Sequence, residues 1–276
     1  MLLISVDGLR PDALLQAETP QLDRLWRNGV HSWSAQTVLP SSTLPAHASM
    51  LSGQPPDIHQ IVWNDWQPQR GFIRVPTILS VANGAGLEVG FIVGKRKLEQ
   101  LAPPGCVDHF DFPGSDADTV AQAAMSYLVE ARPNLLILHF ADVDEAGHRS
   151  GWMSTAQLEA VARVDAAIGR LLEALAQSDL LDDTLIIVSA DHGGHFFSHG
   201  SDSPEEITIP WIAHGPGVRE GYQIEVSLSI MDTAATVLYA LGLPIPEAWA
   251  GRPLVEIFAA VESGSYLATP LPIETM

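Results

Sequence analysis

The sequence predicts an α/β fold built on a mainly parallel central sheet with helices on both faces. Short runs of Leu, Ile and Val recur without polar alternation, as strands buried on both faces require. Stretches of helical period separate them, the order expected of a sheet covered on both sides. A third observation concerns placement: acidic residues and histidines stand directly after several of the apolar runs. In such folds ligands collect where the strands end at their carboxyl ends.

Leu2–Val6 (LLISV) is the first predicted strand and is ended by Asp7. Residues 19–28 follow as a helix, with Thr19 as N-cap, Pro20 in the first turn and Gly29 beyond the end. Residues 31–37 read as a strand giving way to a helix in LPSSTLPAHASML, with Thr43 at the helix start. Val89–Val93 is a strand followed by GKRKL. Residues 115–132 form a helix stopped by Pro133, and Leu135–Phe140 a strand followed by Asp142 and Asp144. Residues 154–178 form the longest helix, with an apolar stripe at Leu158, Val161, Val164, Ile168, Leu171, Leu172 and Leu175. The strand at 185–190 leads into Asp191-His192, and 232–241 and 253–261 supply two last helices. No Pro/Gly/Ser-rich linker, repeat or low-complexity run divides the chain, so residues 1–262 are expected to form one domain and 263–276 a C-terminal tail.

A chain of 276 residues with 46% hydrophobic content can bury a large core. Its formal charge of −19 argues against a nucleic-acid polymer or an anionic membrane as partner. The single Cys106 excludes an internal disulfide and a cysteine-rich zinc site, and reads as a small buried apolar residue. The opening apolar run is too short for a secretory core or a membrane span, and no other stretch reaches about 18 apolar residues. The expected location is the cytoplasm. Nothing in the pattern sets an oligomeric state.

Asp7, Thr43, Asp144 with His148, Asp191 with His192, and His199 offer three carboxylates, three imidazoles and one hydroxyl. That set can hold two divalent cations around a nucleophile, which implies hydrolysis of a phosphate-type ester. Asp144 and His148 are four apart, so one helical turn lets both face one point. Gly193 and Gly194 permit the backbone bend that adjacent ligands need. Oxygen and imidazole donors without thiolate suit Zn²⁺ first, then Mn²⁺ or Fe. Thr43 reads first as an N-cap and second as a nucleophile, because helix amides and a nearby cation favour an alkoxide and receive phosphate oxygens. Asn64, in IVWNDW, reads on its own as a turn residue. Trp63 and Trp66 beside it read as core first and as a wall for an organic leaving group second. His47, on the helix behind Thr43, is expected to support the site from behind or to pack, and His195 to be an exposed loop residue.

The segments SVDGLRPD, PSSTLPAH with a downstream MLSG, DEAGH, SADHGG and SHG resemble the alkaline phosphatase superfamily. Within it they look most like the type I phosphodiesterases and nucleotide pyrophosphatases, in the family's order over nearly the whole chain. The resemblance implies an alkaline-phosphatase-like fold with two zinc ions. Asp7, Asp191, His192 and Thr43 would hold one, and Asp144, His148 and His199 the other. It also implies attack by Thr43, a phosphoryl-threonine intermediate, and a hydrogen bond from Asn64 to a phosphoryl oxygen of a small phosphate-ester substrate. Sulfatases build their nucleophile from Cys or Ser in a motif ending in arginine, and Thr43-Leu44-Pro45-Ala46-His47 offers neither. Cofactor-independent phosphoglycerate mutases use serine and are disfavoured similarly. Phosphodiester or nucleotide pyrophosphate cleavage is the leading expectation. Phosphate monoester hydrolysis follows, and phosphonoacetate-type C–P cleavage is third. Lys95 and Lys97 read first as a solvated charge run. They also resemble the anion clamp of threonine-dependent monoesterases and phosphonoacetate hydrolase. Six residues separate His192 from His199 where larger relatives carry a long insertion, which implies a more open site. A non-catalytic metal-binding module would lack a ligand or the nucleophile, and none is missing.

Overall fold

The computed structural model describes residues 1–259, so the 263–276 tail lies outside the described residues. Eight strands are described: β1 (Leu2–Val6), β2 (Val30–Gln36), β3 (Val89–Val93), β4 (His109–Asp111), β5 (Leu135–Phe140), β6 (Ile186–Ser189), β7 (Thr208–His214) and β8 (Tyr222–Gln223). They form one sheet in the order β4-β3-β5-β1-β6-β7-β2-β8. β7 runs antiparallel to β6 and β2, and the remaining pairings are parallel. The predicted mainly parallel sheet is therefore present, and β1, β3 and β5 are buried along their whole length.

The helices are α1 (Pro11–Gln16), α2 (Pro20–Arg27), α3 (Thr43–Ser52), α4 (Pro56–His59), α5 (Ile78–Gly84), α6 (Ala117–Ala131), α7 (Asp142–Ser150), α8 (Thr155–Gln177), α9 (Pro204–Ile207) and α10 (Asp232–Ala240). α8 packs against α1, α2, α6 and α7 as one layer, and α3 packs against α4, α5 and α10 as the other. The buried apolar residues of the sheet and both layers make one contiguous cluster.

Local chemistry sets most helix limits. Ser154 accepts from Gln157 N at 3.3 Å and starts α8, and Asp116 accepts from Thr119 N at 2.9 Å and starts α6. α6 ends where Arg132 turns left-handed (φ 48°) before Pro133. The start of α2 departs from expectation. Thr19 makes no capping bond, and the buried Asp165 of α8 instead accepts from Gln21 N (3.1 Å) and Leu22 N (2.8 Å).

Two further expectations are corrected. Residues 253–259 are not helical beyond one 3₁₀ turn at Val255–Ile257, and 260–261 lie outside the described residues. Tertiary bonds hold this segment: Leu254 N donates to Thr236 Oγ1, and Ala259 N donates to Gly217 O. β7 was not anticipated, because Pro210 inside TIPWIAH argues against a strand between two others.

Candidate active site

Four adjacent parallel strands deliver the site. In the spatial order β3, β5, β1, β6, their carboxyl ends lead to Lys95, Asp144, Asp7 and Asp191-His192. Thr43 is the first residue of α3, and His199 comes from the loop before α9. Asp7, Thr43, Asp144, Asp191 and His192 are all buried. Asp142, also at the end of β5, is not among the groups gathered here.

Each of the three carboxylates has one oxygen tied down. Asp7 Oδ2 accepts from His139 Nε2 and from Lys95 Nζ, both at 2.8 Å. Asp144 Oδ2 accepts from the same ammonium. Asp191 Oδ1 accepts from Gly8 N (3.1 Å) and His192 N (2.9 Å). The other three oxygens, Asp7 Oδ1, Asp144 Oδ1 and Asp191 Oδ2, are buried without a hydrogen-bond partner. Buried polar atoms are rarely left so, and three together call for a cation.

The imidazoles are oriented to match. His192 Nδ1 lies 2.7 Å from Gly193 O, His199 Nδ1 2.9 Å from Ser41 O, and His148 Nδ1 2.9 Å from Phe197 O. A carbonyl can only accept, so each Nδ1 carries the proton and each Nε2 keeps its lone pair when the ring is neutral. Burial lowers the pKa of His192 and takes that of His199 down to about 4, which favours this neutral form.

The free donors fall into two sets. His192 Nε2 lies 3.3 Å from Asp191 Oδ2, 3.4 Å from Asp7 Oδ1 and 3.5 Å from Thr43 Oγ1. Asp144 Oδ1 lies 3.4 Å from both His148 Nε2 and His199 Nε2. Tetrahedral donors about 2.0–2.1 Å from a zinc ion are themselves roughly 3.3–3.4 Å apart. Asp144, His148 and His199 bring ligand atoms within 4.8 Å of one another, and so do Asp7, Asp144 and His192. Asp144 thus stands between the two sets, and Asp191 joins the first through His192. His148 is 44% exposed at its side chain, so the second set lies at the open side.

Charge points the same way. Burial alone would raise the Asp7 carboxyl, but Lys95 and the bond from His139 outweigh it and hold it well below the usual carboxylate range. Asp191 moves the other way, pushed up by burial and by the charge of Asp7. Burial opposes the charge on Lys95, yet Asp7 and Asp144 raise its pKa. One ammonium among three buried carboxylates leaves the cluster short of positive charge.

Asn64 Oδ1 accepts from Leu44 N (3.0 Å) and Lys97 Nζ (3.0 Å). Two donors at that atom fix the amide orientation and leave Nδ2 as a donor. The first turn of α3 offers fewer amides than expected: Leu44 N is taken, Pro45 has none, and Ala46 N donates to Ser42 O. Lys95 Nζ also stands 3.5 Å from Thr43 Oγ1. Trp63 is half-buried and packs against the core cluster with Arg70 over its ring, whereas Trp66 is exposed under Arg96 and is not the core residue expected. His195 is half-exposed against Phe196. Cys106 is buried, and burial pushes its thiol up to about 11.

Sequence reasoning missed His139, although a lone histidine inside the apolar run LLILHF was the available signal. His47 does more than pack: Nδ1 donates to Thr43 O at 2.7 Å and Nε2 accepts from Ser5 Oγ at 2.8 Å.

The mainly parallel sheet with helices on both faces is an alkaline-phosphatase-like fold. Within the alkaline phosphatase superfamily, the chain belongs to the type I phosphodiesterase / nucleotide pyrophosphatase family, whose profile matches residues 1–80 and 86–206. Human ectonucleotide pyrophosphatase/phosphodiesterase family member 7 is 26% identical over 220 residues, covering 70% of this chain and 47% of that protein. The 2,3-bisphosphoglycerate-independent phosphoglycerate mutase of Prochlorococcus marinus is 29% identical over 215 residues, covering 72% of this chain and 37% of that protein. The chain thus spans less than half the length of these relatives. Among solved structures, an inactive threonine-to-alanine variant of murine ectonucleotide pyrophosphatase/phosphodiesterase 5, in complex with AMP, superposes with a TM-score of 0.78 at 16% identity. That match covers 89% of this chain and 95% of the murine one.

Proposed function

We propose that this chain is a metal-dependent hydrolase of phosphate esters, with phosphodiesters and nucleotide pyrophosphates as its leading substrates and Thr43 as its nucleophile. The observation that carries this reading is the convergence of Thr43 Oγ1, three unpartnered carboxylate oxygens and three oriented Nε2 atoms on one sheet edge. Asp7, Asp191, His192 and Thr43 would hold one divalent ion and Asp144, His148 and His199 a second, with Zn²⁺ first and Mn²⁺ or Fe next. Bound there, such ions lower the pKa of a hydroxyl or water and offset charge on the leaving oxygen.

Thr43 Oγ1 attacks phosphorus in line, and the proton it loses passes through solvent to the leaving oxygen. The new O–P bond forms as the bond to the leaving oxygen breaks, giving phosphoryl-threonine and an alcohol or nucleotide. Attack of water on that phosphorus then releases the phosphate product and restores the hydroxyl. Asn64 Nδ2 would donate to a phosphoryl oxygen, and Lys97 lies beside it to offset charge. His47 holds the Thr43 carbonyl and so the first turn of α3. The AMP complex of the murine relative, and its inactivity with a threonine replaced, are in keeping with this assignment.

A second reading, hydrolysis of dianionic monoesters or phosphonates, is favoured by Lys97 at Asn64 and Lys95 at Thr43. The deciding experiment compares zinc-loaded wild type and Thr43→Ala on bis-p-nitrophenyl phosphate, p-nitrophenyl phosphate and phosphonoacetate. Loss of turnover in Thr43→Ala supports the covalent route, and retained turnover at full metal loading removes it. A preference for the diester upholds the leading reading, and preference for a dianion replaces it with the second.

A further inference from the structure

We infer that Trp152 is a positioning residue that fixes the two donor sets relative to each other, an inference resting on the metal-dependent reading above. Trp152 follows α7 and is 7% exposed. Its indole lies where three glycines have no side chain. A Cβ would stand 2.0 Å from the ring at Gly194 and 2.6 Å at Gly147, while at Gly8 it would meet Asp144 Cα at 3.0 Å and the ring at 3.3 Å. Gly8 follows Asp7, Gly194 is two residues after His192, and Gly147 precedes His148. Each glycine therefore sits in a segment that carries donor atoms, two from the first set and one from the second.

The contacts are directional as well as steric. Trp152 Nε1 donates to Gly8 O at 2.9 Å, and Gly8 N in turn donates to Asp191 Oδ1 at 3.1 Å. Through Gly8 the indole thus helps decide which Asp191 oxygen stays free. Trp152 N donates to Phe196 O at 2.8 Å, and Phe197 O is the acceptor that orients His148. The ring also meets His148 edge-on (centroids 5.1 Å, 85°) and His199 (6.0 Å, 72°). One rigid side chain spans the ligand segments of both sets without touching a donor oxygen. Gly147 and Gly194 leave the space that the indole fills, and Gly8, held left-handed at φ 72°, presents its carbonyl to it.

The test uses the full chain and three substitutions, Trp152→Phe, Gly147→Ala and Trp152→Ala. Trp152→Phe keeps most of the ring volume and removes the bond to Gly8. Gly147→Ala places a methyl on the indole, although alanine is otherwise the better helix residue. Zinc bound per chain is measured by equilibrium dialysis against buffered Zn²⁺, alongside the thermal midpoint and kcat and KM for bis-p-nitrophenyl phosphate. Groups that orient ligands typically change metal affinity or activity about 10–100-fold when removed. A loss of that size is expected for Trp152→Phe, in zinc affinity and in kcat, with KM and the metal-free midpoint nearly unchanged. Gly147→Ala should weaken zinc binding in wild type and add little in a Trp152→Ala background. Should Trp152→Ala not fold, Trp152→Phe alone decides. Wild-type zinc affinity in Trp152→Phe overturns the inference. Wild-type protein that takes up no zinc overturns the metal-dependent reading itself.

Discussion

His139 Nε2 donates to Asp7 Oδ2 at 2.8 Å, and both side chains are fully buried. The direction is fixed from behind, because Gly94 N donates to His139 Nδ1 at 3.2 Å, leaving the ring proton on Nε2. Asp7 is thereby left with Oδ1 to face His192. His139→Ala is expected to weaken metal binding about 10–100-fold in a chelator competition, with His139→Gln recovering part of the loss. Unchanged metal affinity in His139→Ala would remove this role.

Lys95 bridges one carboxylate of each donor set. Breaking a buried pair from one side typically costs about 3–5 kcal/mol, because charge is left uncompensated. Lys95→Ala should therefore lower the thermal midpoint of metal-free protein and recover most of it on adding Zn²⁺. A midpoint insensitive to the substitution would contradict the bridge.

Lys97 stands with Asn64 where phosphoryl oxygens would lie. Hydrogen bonds to charged groups are worth about 1.5–3 kcal/mol, roughly 10–100-fold in rate. Lys97→Ala should lose kcat/KM on p-nitrophenyl phosphate by more than on its bis-p-nitrophenyl diester. Equal losses on the two would make Lys97 a surface charge with no part in discrimination.

Zinc itself should stabilise the fold. At 100 times its dissociation constant, an ion binding only the native state adds about 2.7 kcal/mol. Denaturant titrations with Zn²⁺, then with excess chelator, should show the midpoint rise and return, and no rise would count against the donor sets.

His59 gives a pH dependence separate from the site. Ile61 N donates to its Nδ1 (3.1 Å) and its Nε2 donates to Ser49 Oγ (2.9 Å). Burial, opposed by Asp57, lowers its pKa from 6.5 to about 4. Between those values the unfolded chain binds a proton that the folded chain does not. Its contribution is complete above pH 6.5 and is lost as pH falls toward 4. His59→Gln should show a smaller drop in urea midpoint between pH 7 and 4.5 than wild type does, and an equal drop would assign the acid lability elsewhere.

Much of this was legible in the sequence, because both the strands and the ligands declare themselves locally. Leu2–Val6, Val89–Val93 and Leu135–Phe140 needed only hydrophobicity and length, and they fall where expected. The residues that escaped act at long range. His139 meets Asp7 across 132 positions, and Asp165 caps α2 across 143 positions to Leu22. Trp152 gains its meaning from three glycines in separate segments. No window of sequence holds both partners of such pairs. The missing helix over 253–259 has the same cause, since bonds to Thr236 and Gly217 override local preference.

The strand at the centre of the sheet is also the earliest in the chain. β1 is flanked by β5 and β6, and its first partner ends at Phe140. At roughly 5–20 residues per second, a ribosome needs on the order of 7–27 s to make the intervening residues. For that interval LLISV is an unpaired apolar edge able to join the same segment of a neighbouring nascent chain. Until Phe140 has been made, those five residues have no complete partner strand in their own chain.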